Sequence, residues 1–173
     1  TDCIFSGSSN SMYQPEDHQD ATDLYGITKS VAERAVIVRE NSIVLRGSII
    51  GPHPSSSSGL MQWFLGLPDG AEIFGYSNHF WNGVTTLQWC KNLKSIIEDG
   101  ESVMSNHNKK IFQIGTEEIY SKYEMLLLFQ KIFGTKVQIK EQKKDYIYRC
   151  LKPDIINPAL AIQLKELLIE YYT

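Results

Sequence analysis

The chain has 173 residues, 17 of them basic and 20 acidic, for a net charge of −3, with 42% hydrophobic and 21% charged residues. That length fits one domain or one and a half around a sizeable core, and the small net charge argues against both disorder and a polyanion-binding surface, so no nucleic-acid partner is expected. No apolar run reaches membrane-spanning length and no signal-peptide pattern opens the sequence, so no membrane partner is expected either.

Residues 1–5 read as the end of a buried strand. Residues 7–22, rich in Ser, Asn, Gln and Asp and containing Pro15, read as a loop over a site mouth. A start at Thr rather than Met, directly on strand-like residues, implies that the sequence is the C-terminal portion of a longer protein. A helix is predicted from Leu24 to Glu40, with Thr22 and Asp23 as candidate N-caps and Ile27, Val31, Ala35 and Val38 at apolar helical spacing. Ser42 to Ile50 then reads as a buried, Val/Ile-rich strand ending at Gly51-Pro52. Strand, helix, strand implies a parallel α/β sheet.

Beyond Pro52 the character changes, and a small second lobe is predicted to begin. A low-complexity loop carries Ser55–Ser58; a short apolar helix follows from Leu60 to Leu67, then a turn at Pro68–Gly70 and a strand near Glu72–Gly75. Thr85 or Thr86 can cap a helix from Leu87 to Glu98, ended by Gly100, and Lys109–Gly115 reads as a strand. Ser121 can cap a helix over Lys122–Phe133, which stops at Gly134; Lys136–Lys140 alternates like a half-exposed strand. A last helix runs from Pro158 to about Tyr171, with Leu160, Leu164, Leu167 and Leu168 as its apolar series. Trp63, Phe64, Phe74 and Trp89 are expected in the core in preference to a stacking platform, and for Arg46 pairing with a buried carboxylate is favoured over approach to a phosphate.

Cys3, Cys90 and Cys150 are odd in number and scattered, which favours a reducing compartment; a cytoplasmic location is expected. His18, His53, His79 and His107 show no ligand-like spacing, so no metal site is expected.

Tyr25 and Lys29 stand four residues apart within the predicted helix, and residues i and i+4 share a helix face. An ammonium beside a phenol favours phenolate and draws its pKa from about 10 towards neutrality, which suits a general acid/base. The same spacing recurs at Tyr148 and Lys152, but Pro153 disfavours helical backbone at Lys152, so this second pair is read as surface or packing residues.

Three segments in order carry a family resemblance: Thr-Asp-Cys-Ile-Phe-Ser-Gly at 1–7, Leu-Tyr-Gly-Ile-Thr-Lys-Ser-Val-Ala-Glu at 24–33 and Val-Leu-Arg-Gly-Ser-Ile-Ile-Gly-Pro at 44–52. They resemble the extended short-chain dehydrogenase/reductases, most closely the dTDP-4-dehydrorhamnose reductase-like reductases of keto-sugar nucleotides. The resemblance implies an α/β fold: the C-terminal part of a Rossmann-like, doubly wound parallel sheet plus a small α/β substrate-binding lobe. Residues 1–52 would belong to the NAD(P)-binding domain with its catalytic helix, and residues 53–173 would form the lobe and C-terminal helices. The implied partner is a sugar-nucleotide substrate and the implied cofactor NADP or NAD, with a homodimer as a possible assembly.

By the same resemblance, Thr1 hydrogen-bonds the reacting sugar oxygen and Tyr25 protonates it as the nicotinamide delivers hydride, while Lys29 lowers the Tyr25 pKa and holds the nicotinamide ribose. Tyr25, Lys29, Ser48, Ile49 and Ile50 are the implied cofactor contacts, and Thr1, Asn82 and Thr85 the substrate contacts, with Thr85 equally readable as a helix cap. Departures also matter. No Gly-x-Gly-x-x-Gly fingerprint occurs, so the loop that cradles a pyrophosphate is absent. Cys3 stands where these reductases carry Tyr and related dehydratases carry Glu, and Ile49 stands where the rhamnose-type reductases carry an aromatic residue. A sugar-nucleotide epimerase of the same family, or a non-catalytic binding or regulatory relative, are the alternatives.

Overall fold

The computed structural model describes residues 1–52, 59–98 and 109–172. The Ser55–Ser58 loop, His53, His107 and the stop at Gly100 lie outside the described residues. Helix α1 spans Leu24–Ile37 and starts at Asp23, whose side chain accepts from the Gly26 N–H at 2.8 Å. It stops short of Glu40 because side chains close its last turn: Lys110 Nζ donates to the Ile37 and Arg39 carbonyls, and Ser42 Oγ to those of Val36 and Arg39. Strand β1 (Val44–Gly47) lies parallel to a strand at Ile111–Gly115, which lies parallel in turn to one at Ile155–Ile156. The sheet begun in the first 52 residues is therefore completed from far along the chain, across the predicted boundary.

Two expectations near the start are corrected. Asp2–Ile4 form a 3-10 turn, not a strand, because their bonds close locally: Cys3 N–H donates to Thr1 Oγ1 at 3.2 Å and Phe5 N–H to the Asp2 carbonyl at 3.1 Å. Ile4 and Phe5 are both buried, where a strand would alternate, and they cluster with Tyr13 and Leu151. The Phe5 and Tyr13 rings stack at 4.0 Å. That cluster holds the 7–22 loop away from the site mouth, since Tyr13 N–H donates to the Cys150 carbonyl and Lys152 N–H to the Tyr13 carbonyl.

The predicted 42–50 strand is interrupted at Ser48. Ile49–Ile50 form β2, which leaves the first sheet to pair in parallel with Val84–Thr85. The Ser48 carbonyl at the break accepts from Val84 N–H at 2.9 Å.

The remaining elements are α2 (Leu60–Leu65), β3 (Glu72–Tyr76), β4 (His79–Trp81), β5 (Val84–Thr85), α3 (Thr86–Glu98), β6 (Ile111–Gly115), β7 (Tyr120–Ser121), α4 (Lys122–Phe133), β8 (Gln138–Gln142), β9 (Ile147–Tyr148), β10 (Ile155–Ile156) and α5 (Leu160–Tyr172). Helix α4 is framed as predicted: Ser121 and Glu124 form a reciprocal capping box, and Gly134 ends it at φ 70°. β3 and β8 pair in parallel, and β4 sits between antiparallel β7 and parallel β9. The main core joins Met61 and Phe64 of α2, Met125, Leu126 and Phe129 of α4, and Leu160, Leu164 and Leu167 of α5. Full burial of such a side chain contributes about 1.5–3 kcal/mol.

The apolar series of α1 is not a core face. Ile27, Val31 and Val38 are 44%, 62% and 74% exposed, whereas Gly26, Ser30 and Glu33 are buried. The helix is seated by polar contacts instead: Arg46 Nε and Nη2 donate to the two Glu33 carboxylate oxygens at 2.9 and 2.5 Å. Gln19 Nε2 adds a bond to Glu33 at 2.7 Å, and Arg46 Nη1 donates to the Pro15 carbonyl at 2.8 Å. At Gly26 the helix touches the 3-10 turn so closely that a Cβ would lie 2.1 Å from the Cys3 carbonyl oxygen.

Two stability outcomes follow. Arg46→Met or Glu33→Gln should lower the unfolding free energy in urea by about 3–5 kcal/mol, because each leaves a buried polar partner uncompensated; joint replacement by Met and Leu should recover most of that loss. Gly26→Ala should cost about 1–3 kcal/mol through overpacking, and an unchanged urea midpoint would contradict the close contact.

Candidate active site

A cavity of about 420 Å³ opens between the 3-10 turn, α1, the end of β1 and α3, lined by Thr1, Asp2, Cys3, Tyr25, Lys29, Leu45, Gly47, Ser48, Ile49 and Trp89. Each element contributes for a local reason. The 3-10 turn brings Thr1–Cys3 to the rim, α1 presents Tyr25 and Lys29 one turn apart, and the break at Ser48 turns Ser48 and Ile49 towards the opening. The structure thus brings together Thr1, Tyr25, Lys29, Ser48 and Ile49.

Lys29 Nζ lies 5.5 Å from the Tyr25 ring centroid, and Tyr25 is 53% exposed, so its hydroxyl is open to an incoming molecule. Thr1 Oγ1 accepts from Cys3 N–H and makes a long bond of 3.4 Å to Asp2 Oδ1. Burial, and then the Asp2 carboxylate, push the Cys3 thiol above its usual value. It therefore remains a thiol and is not a nucleophile.

Three predicted contacts lie elsewhere. Ile50 is 8% exposed and belongs to the main core. Asn82 is buried and its amide is fully engaged: Nδ2 donates to the Thr116 and Leu151 carbonyls and Oδ1 accepts from Leu151 N–H. Thr85 is fully buried; its N–H donates to Gln163 Oε1, and its hydroxyl oxygen accepts from Gln88 N–H at the start of α3. Thr85 is a cap. The Tyr148–Lys152 pair forms no proton-transfer set: Tyr148 is in β9, Lys152 is outside any helix, and burial pushes the Tyr148 hydroxyl up to about 12.

Sequence reasoning missed Asp2, Leu45, Gly47 and Trp89. Trp89 was expected in the core, yet it walls the cavity, and a Cβ on Gly47 would sit 2.6 Å from its ring. No local signal in the sequence pairs these two residues. Trp63 and Phe74 were also expected in the core; they are 43% and 52% exposed, and only Phe64 of that group is fully buried.

Trp63 and Phe74 line a second cavity of about 540 Å³ with Tyr76, His79, Gln142 and Lys122. Burial pulls the Lys122 ammonium below its usual value, an effect opposed by the negative charge of the Asp2 carboxylate. Lys122 Nζ also sits 5.9 Å from the Trp81 ring centroid. Lys122 thus lines the aromatic cavity with its ammonium against Trp81. Burial likewise lowers the His79 imidazole, which favours its neutral form. Among the described residues no group of three or more His, Cys, Asp or Glu could hold a metal ion, and no helix is long and apolar enough to cross a membrane.

No protein-family model and no curated protein matches the chain. Solved structures do. A dTDP-4-dehydrorhamnose reductase from Clostridium acetobutylicum is 16% identical and superposes with a TM-score of 0.82, over 99% of this chain and 64% of that one. The same enzyme from Bacillus anthracis, solved with NADP, is 14% identical with a TM-score of 0.77, over 98% and 63%. A UDP-glucose 4-epimerase from Thermotoga maritima, solved with UDP-glucose, is 18% identical with a TM-score of 0.63, over 96% and 59%. The chain spans slightly less than two thirds of the length of these structures. At such identities the shared property is architecture: the chain has the Rossmann-like α/β fold of the sugar-nucleotide reductases and epimerases on which it superposes.

Proposed function

We propose that this chain supplies the proton-transfer and substrate-holding parts of an NAD(P)-dependent reductase of keto-sugar nucleotides, similar to dTDP-4-dehydrorhamnose reductase and serving deoxysugar or polysaccharide precursor synthesis. A shared fold alone does not carry function. The observation that supports the reading is the meeting of Thr1, Tyr25 and Lys29, from separate elements, on one cavity of about 420 Å³ beside Ser48 and Ile49.

The donor set fits a nicotinamide riboside: Lys29 and the Tyr25 hydroxyl can bond ribose hydroxyls, and Leu45, Ile49 and Trp89 offer an apolar wall. When bound, the cofactor supplies a hydride. The chain has no glycine-rich loop of its own for the pyrophosphate. Tyr25 gives its hydroxyl proton to the sugar carbonyl oxygen as that carbonyl is reduced. Lys29, 5.5 Å from the ring centroid, stabilises the negative charge left on the phenolate. Thr1 exchanges its long bond to Asp2 for one to the sugar oxygen and so orients it. In the second cavity, Lys122 offers charge to a diphosphate, and Trp63, Phe74 and Tyr76 offer faces to a base.

The test is made on the full-length polypeptide that carries this sequence, with NADPH and 4-keto nucleotide sugars. Tyr25→Phe should cut kcat by about 10²–10⁴-fold with KM changed little; equal turnover by both proteins would sink the assignment. Stoichiometric NADPH oxidation separates a reductase from an epimerase, which returns its cofactor unchanged. A second outcome concerns Lys122. Because burial disfavours its charged form, the fold bears that cost wherever Lys122 is protonated, and the cost is relieved as pH rises through the lowered value. Lys122→Met should therefore raise Tm at neutral pH by roughly 2–4 °C, the shift that about 1 kcal/mol produces in a chain of this size, while weakening dTDP binding in calorimetry.

A further inference from the structure

We infer that Arg149 is a positioning residue for the proposed proton transfer: it holds the Asp23 cap of α1 and offsets its negative charge, so that the cap does not oppose a phenolate forming at Tyr25. This rests on the reading of Tyr25 as proton donor. Arg149 directly follows β9, far along the chain from α1. Its stem lies on Gly7, where a Cβ would sit 3.0 Å from Arg149 Cγ. Nε donates to the Ser6 carbonyl at 3.3 Å and Nη1 to Cys3 Sγ at 3.7 Å, while Nη2 stands 3.8 Å from Asp23 Oδ2. One guanidinium thus ties together the cavity-lining Cys3, the turn after it and the start of α1. Backbone bonds on either side keep it there: Tyr148 N–H donates to the Gly7 carbonyl at 2.7 Å, and Tyr13 N–H to the Cys150 carbonyl at 2.8 Å.

Two features of the helix start act on Tyr25 in opposite directions. Tyr25 is the second residue of α1, in the first turn, where the positive end of the helix dipole favours negative charge. Asp23, whose Oδ1 accepts from Gly26 N–H, places a carboxylate two positions away, and a like charge disfavours a phenolate. The charged side chains lining the cavity are Lys29 on α1 and Asp2 on the 3-10 turn, and the Cys3 thiol between Asp2 and Arg149 stays neutral. Without Arg149, Lys29 would face two carboxylates alone; the guanidinium balances the second. The same contact does little for the fold. Arg149 and Asp23 have side chains 25% and 49% exposed, and a part-exposed pair at such a distance contributes little to stability. Its effect therefore falls on the charge at Tyr25 more than on folding.

The test uses the full-length polypeptide that carries this sequence. Arg149→Met, which keeps the stem on Gly7, should lower kcat with NADPH and 4-keto nucleotide sugars about tenfold, with KM changed by less than about twofold and Tm by less than roughly 2 °C. Asp23→Ser keeps a good cap without the charge, and adding it to Arg149→Met should return kcat to within about twofold of the parent. Lys91→Met, which breaks a comparably exposed pair with Glu166 between α3 and α5, is the control and should leave kcat unchanged. A double variant as slow as Arg149→Met, or a loss of kcat that tracks a loss of Tm, would overturn the inference. A second readout needs no turnover: NMR of isotope-labelled tyrosine rings, with the Tyr25 signal identified by its loss in Tyr25→Phe. The Tyr25 phenol should ionise at higher pH in Arg149→Met and return in the double variant, and a titration that does not move would contradict the role given to Arg149. A parent that shows this movement but does not reduce the sugars would remove the reductase reading and leave the electrostatic role of Arg149 standing.

Discussion

The placement of Tyr25 and Lys29 depends on one buried contact, the two-pronged bond between Arg46 of β1 and Glu33 of α1. Tyr25, Lys29 and Glu33 follow one another at intervals of four along the helix, from the open cavity to the interior. Fixing Glu33 on Arg46 therefore sets the rotation and height of the two residues above it. Both charges are out of water, a cost that only well-aligned bonds offset. The surroundings supply them: Gln19 donates to Glu33, and Pro15 and Gln113 accept from Arg46. A helix seated by apolar packing could slide by a methyl group at small cost; one seated by a bidentate pair cannot, because rotation breaks both bonds together.

The cavity is then produced by close approaches at glycine and by a broken strand. Gly26 lets α1 rest on the Cys3 carbonyl, and Gly47 lets the Trp89 ring lie on the end of β1. Beyond Gly47 the chain changes partner from β6 to β5, and Gly83 meets the Ser48 carbonyl so closely that a Cβ would lie 2.0 Å away. Two sheets separate at Ser48, and the gap at the carboxyl end of β1 is where the side chains of the site meet. Binding at the carboxyl ends of parallel strands is general in open α/β sheets; here the side-chain geometry gives it a local cause.

Much of this was legible because it is written in local chemistry. The cap at Ser121, the stop at Gly134 and the leucines of α5 each depend on residues within a turn or two, and they stand where the sequence placed them. The Tyr25–Lys29 pair was legible for the same reason. What could not be read depends on contacts far apart in the chain. Two-residue strands such as β5, β7, β9 and β10 are too short to show alternation. Asn82 resembled a ligand contact because nothing nearby reveals that Thr116 and Leu151 occupy its amide. Lys122 looked like any first-turn lysine until α4 packed it beside Trp81. The opening residues misled in another way: Ile4 and Phe5 are apolar enough for a strand, but apolarity does not tell a buried turn from a buried strand.

Helix α1 shows most clearly what periodicity does and does not report. Ile27, Val31, Ala35 and Val38 do share a face, as their spacing required; the error lay in assuming that the chain's own core covers it. Hydrophobic spacing states which side chains point together, not what they meet. In α1 the side facing the sheet carries Gly26, Ser30 and Glu33, residues chosen for close approach and hydrogen bonding, so intrachain burial cannot explain the apolar residues opposite. Exposed singly they would be ordinary. Continuous along the helix, they form an apolar face that the described fold leaves uncovered.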